Sequence, residues 1–379
     1  HILDFMIMMP LGPQFTRLFA ISDAQFGLLV SAYTIAAGVS GLVSATYVDR
    51  FDRKRLLLVL YGLFALATLA CGLAGSYGFL MVARIAAGIF GGVLSALAQT
   101  IVADVVPFER RGRAMGIVMS SFAVATVAGV PLGLLLANAW GWQATFVAIA
   151  ALSALFCIGA ALTLPPLRHH LREGPPAIWR GIGQVLVDRN HWRAFALSAL
   201  LMFTGFTVIP FITIYMQANV GLTDADIPVI YLVGGAATLV TARWFGRMTD
   251  RLGKVPTFNR LALAAAVPLM GITLLPPLPL WAVLFVSTAF FALFSGRMIP
   301  GMAILTSAAQ PALRGTFMAL NASVQSAAMG MASLLGGLII ARDAAGRVEH
   351  YGLAGLVGVV ACLCSIALAR RLRLHGSTA

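Results

Sequence analysis

Asp49-Arg50-Phe51-Asp52-Arg53-Lys54-Arg55 in the first quarter of the chain has an echo in Gly246-Arg247-Met248-Thr249-Asp250-Arg251-Leu252-Gly253-Lys254. A second echo follows each at nearly the same distance: Arg111-Gly112 with Met115, then Arg314-Gly315 with Met318. Asp49 and Gly112 are 63 positions apart, and Asp250 and Gly315 are 65 apart. Short basic turns recurring at matched offsets between long apolar runs describe a duplicated membrane unit rather than one water-soluble core. A duplicated bundle of this size is expected to carry something across a bilayer.

Composition agrees. Of the residues, 60% are hydrophobic and 10% charged, with a mean hydropathy of +0.92; soluble domains carry about 25% charged residues. The net charge of +13 is not spread over a basic face with interleaved aromatics, so a nucleic-acid partner is not expected. Cys71, Cys157, Cys362 and Cys364 lie in apolar runs without metal-site spacing, which reads as packing rather than a zinc site or disulfide frame. His169 and His170 read as solvated linker residues, and no metal is expected.

A span needs about 20 apolar residues to cross the hydrocarbon. Twelve stretches qualify: 1–19, 24–47, 55–75, 78–106, 112–138, 142–164, 192–218, 227–248, 255–275, 279–308, 315–341 and 350–370. The fold class is therefore an all-α membrane protein. It divides into a six-helix half over 1–164, a linker over 165–191 with an amphipathic piece near Trp179–Leu186, and a second half over 192–379. Loops after even-numbered spans, and the tail with Arg370, Arg371 and Arg373, hold nearly all the bases. Odd loops hold only Arg17, Arg342 and Arg347. Basic loops stay in the cytoplasm, so both termini are expected there, in a cell (inner) membrane. His1 opens inside an apolar helix, so a cytoplasmic stretch ahead of it is expected.

Charges inside spans are expensive and mark candidate functional sites. Three lie clearly within the membrane, Asp4, Arg84 and Arg297, while Arg243 sits one turn from the cytoplasmic end of span eight and can snorkel to it. A carboxylate in a low-dielectric cavity can exchange a proton near neutral pH, as proton coupling demands, and Asp4 is the deep carboxylate; a fixed ion pair or a place at a wet helix end is the alternative. Arg84 cannot deprotonate and can tune that group or hold an anion; a helix-pinning role is the alternative. Arg297 stands in Ser295-Gly296-Arg297-Met298-Ile299-Pro300-Gly301, where glycine and proline loosen the helix; it is a candidate for substrate charge selection. Tyr33, Asn321 and Gln325 are what helices facing a central substrate cavity would show, though each could equally bond a neighbouring helix. Asp49, Arg50, Arg53, Asp250 and Arg251 at the basic turns, with Asp104 ending span four, form a candidate cytoplasmic gate, with plain positive-inside topology as the alternative. In span five, Gly129, Pro131 and Gly133 permit close helix contact and bending.

On these residues the chain resembles the major facilitator superfamily over essentially its whole length. The family's loop signature, Gly-x-x-x-Asp-Arg-x-Gly-Arg-Arg/Lys, meets Ala45 and Asp52 at its two glycine positions here but keeps Asp49, Arg50, Arg53 and Lys54. The second copy keeps Gly246, Gly253, Asp250, Arg251 and Lys254. Arg84-Ile85-Ala86-Ala87-Gly88 looks like the span-four motif that the family associates with proton coupling. Gly129-Val130-Pro131-Leu132-Gly133, with Gly141-Trp142 and Phe146, is similar to the span-five antiporter motif; Leu3-Asp4 through Pro10 is similar to the span-one motif of the same exporters. The resemblance is to the twelve-span drug:proton antiporter and arabinose (sugar) efflux-like branch. It implies a monomeric secondary transporter working by alternating access, exporting small amphipathic compounds, drugs or sugars against protons. A proton-coupled importer and a lipid or lysolipid mover of the same fold stay open. An enzyme would need clustered His, Asp or Cys, and an ATP-driven pump a Gly-x-x-x-x-Gly-Lys loop; neither is present, so the proton gradient rather than a cofactor is the expected energy source.

Overall fold

The computed structural model describes residues 1–44, 46–106, 110, 118, 121–122, 124–167 and 178–375. Ten helices among them are long and apolar enough to cross a membrane. They are Asp23–Ser44, Arg53–Gly72, Tyr77–Val105, Trp142–Thr163, the seventh span beginning at Arg189–Phe206, Asp226–Leu252, Lys254–Thr273, Leu280–Ala308, Arg314–Ile339 and Tyr351–Ala369. The first span, in two short helices Ile2–Met8 and Gly12–Leu18, and the fifth, described as Ala125–Trp140, complete the twelve. Below, the basic end is the one carrying the even loops and the far end is its opposite.

The duplication is legible in helix lengths. Arg53–Gly72 and Lys254–Thr273 are both 20 residues long; Tyr77–Val105 and Leu280–Ala308 are both 29. Packing repeats as well: span two lies on four and span eight on ten, span three on six and span nine on twelve. Between the halves, span two packs along span eleven and span five along span eight.

Helix starts follow local chemistry. Asp52 accepts from the Lys54 N–H, Ser76 from Phe79 and Asp188 from Asn190, each satisfying a donor that the first turn leaves free. Interruptions follow proline. The first span breaks at Met9–Leu11 around Pro10, and the seventh at Thr207–Val208 ahead of a 3-10 turn Ile209–Phe211 that contains Pro210. Proline removes an N–H and crowds the preceding turn. Spans one and seven therefore depart from the continuous helices that hydropathy implies, and they do so 200 residues apart, within one residue of the 201 that separates Asp49 from Asp250. In span five a π turn, Ala125–Gly129, precedes Val130–Trp140, and the Val130 N–H bonds back to Ala125. The shift to a five-residue register lies next to Pro131.

The linker contributes a helix, Ile178–Val187, matching the amphipathic piece read from the sequence. The loop after span eleven carries a feature that hydropathy does not show: a small antiparallel hairpin, β1 Ala341–Arg342 and β2 Val348–Glu349. The Asp343 carboxylate accepts from the Ala345 and Arg347 N–H groups to close its turn.

Candidate functional site

Span one brings Asp4 against Arg84 of span four. Arg84 Nη1 lies 2.9 Å from Asp4 Oδ2 and 3.3 Å from the Asp4 carbonyl, with both side chains fully buried. Asp4 Oδ1 has no hydrogen-bond partner among the described residues. The Arg84 guanidinium stands over the Tyr33 ring at 4.2 Å, and that ring stacks on Phe5 at 5.5 Å. Desolvating two charges costs several kcal/mol per ion, offset only by tight pairing and further contacts. Here the carboxylate and the carbonyl bond Nη1 and the ring face adds a further contact, while Arg84 Nε and Nη2 have no hydrogen-bond partner among the described residues. Small residues make the approach possible: Gly88 and Gly92 of span four lie directly on the Tyr33 and Ala37 backbone of span two, and the Ser40 hydroxyl donates to the Ile89 carbonyl at 2.8 Å.

The span-five motif supports the same helix from the other side. A Cβ on Gly129 would fall 2.7 Å from Leu3 Cδ1, and one on Gly133 would fall 2.8 Å from Ile7 Cδ1. The two glycines thus form the surface on which the Asp4 helix lies. The Thr145 hydroxyl donates to the Gly133 carbonyl at 2.7 Å, tying span six to that turn.

The remaining residues read as cavity-lining do not form one cluster with Tyr33, which belongs to the Asp4–Arg84 group. Gln325 of span eleven donates to Ser198 of span seven at 3.0 Å and meets Met302 Sδ of span ten at 3.6 Å. Arg297 is fully buried within the second half. It donates to the Leu201 carbonyl of span seven at 3.0 Å and faces Cys362 Sγ of span twelve at 3.8 Å, with the Phe294 ring at 4.5 Å. It has no carboxylate partner among the described residues. Asn321 is buried with Oδ1 unpartnered among the described residues.

At the basic turns, Arg50, Asp250 and Arg251 are exposed and Arg53 is buried. Lys54 donates to the Ala161 and Leu164 carbonyls closing span six, at 2.8 and 2.5 Å. Lys254 reaches Ser307 at the end of span ten, at 2.6 Å. Both lysines thus bond within their own half. The side chains of Asp49 and Asp104 lie outside the described residues.

The hydrogen bonds and ion pairs described between the two halves, Arg342–Asp23, Asn138–Asp224 and Arg17–Asp224, lie at the far end. Arg342 of the hairpin holds Asp23, at the start of span two, through two contacts of 2.8 Å. This hydrogen bond pushes the guanidinium pKa further above its ordinary value, against the effect of burial. Asn138 donates to the Asp224 carbonyl at 2.7 Å, and Arg17 stands 3.7 Å from the Asp224 carboxylate. Beneath them the helices touch: a Cβ on Gly27 would fall 2.7 Å from the Ser333 carbonyl, and one on Gly337 would fall 2.9 Å from the Asp23 carbonyl. The sequence alone assigns this cluster no role. Its signal was the scarcity of charge in the odd loops, where two of the three bases, Arg17 and Arg342, stand in these pairs.

Two broken first spans, a buried acid–arginine pair and a seam closed at one end define a duplicated transporter bundle, and the family comparison agrees: residues 1–333 match the Major Facilitator Superfamily. The chain belongs to the major facilitator superfamily. This major facilitator protein is 25% identical over 341 residues to an uncharacterised MFS-type transporter, YtbD, of Bacillus subtilis, covering 89% of this chain and 84% of that one. A second B. subtilis transporter of the same description, YbcL, is 24% identical over 92% of this chain and 88% of its own. Among solved structures, a D-xylose-proton symporter superposes with a TM-score of 0.79 at 18% identity, covering 96% of this chain and 94% of that one. A bacterial homologue of the human lysosomal transporter Spinster, inward-facing and occupied, gives 0.77 at 18% identity over 100% and 96%. At such identities the structures speak for the fold. The protein is a multi-pass membrane transporter rather than an enzyme.

Proposed function

We propose that this protein exports small amphipathic compounds, drugs or sugars, in exchange for protons, from a cell-membrane location with its basic end and both termini in the cytoplasm. The observation that carries the reading is Asp4: a fully buried carboxylate with one oxygen on Arg84 and the other, Oδ1, without a partner among the described residues. A proton on Oδ1 neutralises the acid while Oδ2 can still accept from Arg84. It thereby weakens the pairing between spans one and four without breaking it. The glycine surface of span five, under Leu3 and Ile7, lets the Asp4 helix shift when that happens. Substrate occupies the midplane between the halves, near Gln325, Asn321 and Tyr33. Arg297 biases that region toward electron-rich groups through the positive charge it holds in span ten. The far-end contacts belong to the state open to the cytoplasm. Asp49, Arg50, Arg53, Asp104, Asp250 and Arg251 close the opposite gate in the other state. The unit is a monomer and needs no cofactor beyond the proton gradient.

The test is transport in proteoliposomes with an imposed pH gradient, comparing the native chain with Asp4→Asn. The variant is expected to lose gradient-driven movement while still binding substrate. Because Arg84 is left without its acid, substrate binding to native protein in unbuffered detergent is followed in parallel with a pH dye, which should report proton release. Full gradient-driven accumulation by Asp4→Asn, or binding without proton release, would place the coupling elsewhere. Net accumulation in the import direction would overturn export and leave the site intact. For the gate, spin-label distances across the basic end should lengthen in Asp250→Asn; unchanged distances would reduce the motif to topology.

A further inference from the structure

We propose that the seam between spans seven and twelve at the basic end binds the phosphate headgroup of an anionic phospholipid. The seam is a built surface. Asn190, on the first turn of span seven, donates to the Arg373 carbonyl at 3.0 Å and accepts from the Arg373 N–H at 3.0 Å; it also reaches the Ala308 carbonyl at 2.9 Å. Val185 of the linker helix, Ala194 and Phe195 of span seven, and Ala369 and Leu372 beyond them belong to one buried apolar cluster. The tail that follows span twelve is therefore fixed beside the start of span seven.

That packing gathers charge. Arg189 and Arg193 come from span seven, and Arg370, Arg371 and Arg373 from the end of span twelve and the tail. All five are exposed, and none has an ion pair among the described residues. The neighbouring acid, Asp188, is already committed. It accepts from the Asn190 N–H at 2.7 Å and from the Gln310 amide at 2.9 Å, with His191 at 3.8 Å. Burial alone would raise its pKa, yet these bonds and the nearby His191 and His375 hold it below the ordinary carboxylate value. Five cations with no ion-paired acid among the described residues repel one another, and a multivalent oxyanion relieves that repulsion.

The rim says which oxyanion. Trp192 is exposed with its indole N–H bonded to the Leu186 carbonyl at 2.7 Å, and Leu186 and Val187 show 40% and 84% of their surface. An exposed tryptophan in the first turn of a membrane span, beside bare aliphatics, is the arrangement of a water–hydrocarbon boundary, where acyl chains lie against the protein and headgroups meet the bases. Topology alone asks for bases at this end; it does not ask for a tail fastened to Asn190 with its arginines turned outward.

The experiment places the full chain in nanodiscs of phosphatidylcholine with increasing phosphatidylglycerol and reads the thermal midpoint, together with the lipid retained in native mass spectrometry. The native chain is expected to gain midpoint with phosphatidylglycerol and to keep it through detergent. The variant Arg189→Gln/Arg193→Gln/Arg371→Gln/Arg373→Gln should keep several-fold less and gain nothing. The matching arginine-to-lysine variant preserves charge and should retain the effect, which keeps the test decisive if the neutral variant folds poorly. Equal midpoints in both lipids with undiminished retention by the neutral variant would overturn the proposal. An equal rise with inorganic phosphate in phosphatidylcholine discs would assign the site to free phosphate instead. Displacement of phosphatidylglycerol by a short RNA would remove the lipid assignment.

Discussion

Replacing Arg342 by Gln tests whether the far-end pair holds the halves together. Asp23 has a side chain only 3% exposed, and both its oxygens are bonded by Arg342 at 2.8 Å, whereas the Arg342 side chain is 37% exposed. Stranding a buried charge costs about 3–5 kcal/mol, while exposed pairs are worth about 0–1. With one partner buried and the other wet, about 2 kcal/mol is the reasonable middle. That cost falls on the closed far end alone, because opening it returns Asp23 to water. The population ratio should then move toward far-end-open by about thirtyfold, since about 1.4 kcal/mol is tenfold. Spin labels at Gly75 and Pro277, exposed far-end positions in the two halves, should show a longer distance component in Arg342→Gln. Adding Asp23→Asn removes the stranded charge and should restore much of the short component. An unchanged distribution in Arg342→Gln would refute the latch; a double variant as open as the single would refute the stranded-charge arithmetic.

Other expectations follow from the same geometry. Gly337→Val places side-chain atoms where even a Cβ would fall 2.9 Å from the Asp23 carbonyl, so disulfide trapping between cysteines placed on spans two and eleven near that point should drop sharply. Asp4→Asn should lower thermal stability by about 3 kcal/mol by leaving Arg84 unpaired, and Asp4→Asn/Arg84→Gln should recover part of it; additive losses in calorimetry would mean the pair is not coupled. Asp188, with its pKa held below the reference 3.8, contributes stability that is complete above 3.8 and is lost as pH falls through its lower folded value. Trp192 emission, isolated by difference against Trp192→Phe, should shift only below pH 3.8, and Asp188→Asn should abolish that transition.

Much of the fold was readable because hydrophobic length and loop charge are local properties. The echo of Asp49-Arg50 in Asp250-Arg251 announced the duplication, and runs of about 20 apolar residues announced the spans. The breaks in spans one and seven were also within reach: Pro10 and Pro210 stand 200 apart, and proline interrupts a helix for reasons that need no tertiary context. The Asp4–Arg84 pair was half legible, as two intramembrane charges whose mutual contact the sequence could not display. What stayed hidden depends on how helices are rotated and juxtaposed. No periodicity says that Arg342 reaches Asp23 across more than three hundred residues, or that Arg297 turns toward Leu201 and Cys362. The hairpin at Ala341–Glu349 hid for a different reason: two-residue strands are too short for an alternation to register.

The duplication also supplies an internal control on the candidate site. Arg84 is the eighth residue of a 29-residue helix, and the eighth residue of its counterpart is Ser287. Counting six back from Pro10 gives Asp4, and six back from Pro210 gives Thr204. Both hydroxyls are content within their own helices: Ser287 donates to the Val283 carbonyl at 2.8 Å and Thr204 to the Leu200 carbonyl at 2.8 Å. The same helix pairing thus holds in the second half without any charge. If an acid–arginine pair were only the fastener that this fold needs between its first and fourth helices, the second half would want it equally. Conversely, the eighteenth position, Arg297 in span ten, is Leu94 in span four. Among the described residues, each half therefore carries one arginine buried inside a span at a place where its counterpart is neutral, and only the first supplies an acid for it. Burying those groups costs free energy that packing alone does not require. Under the proposed reading, the asymmetry divides the labour, with proton exchange in the first half and an unneutralised positive charge, able to favour electron-rich substrates, in the second.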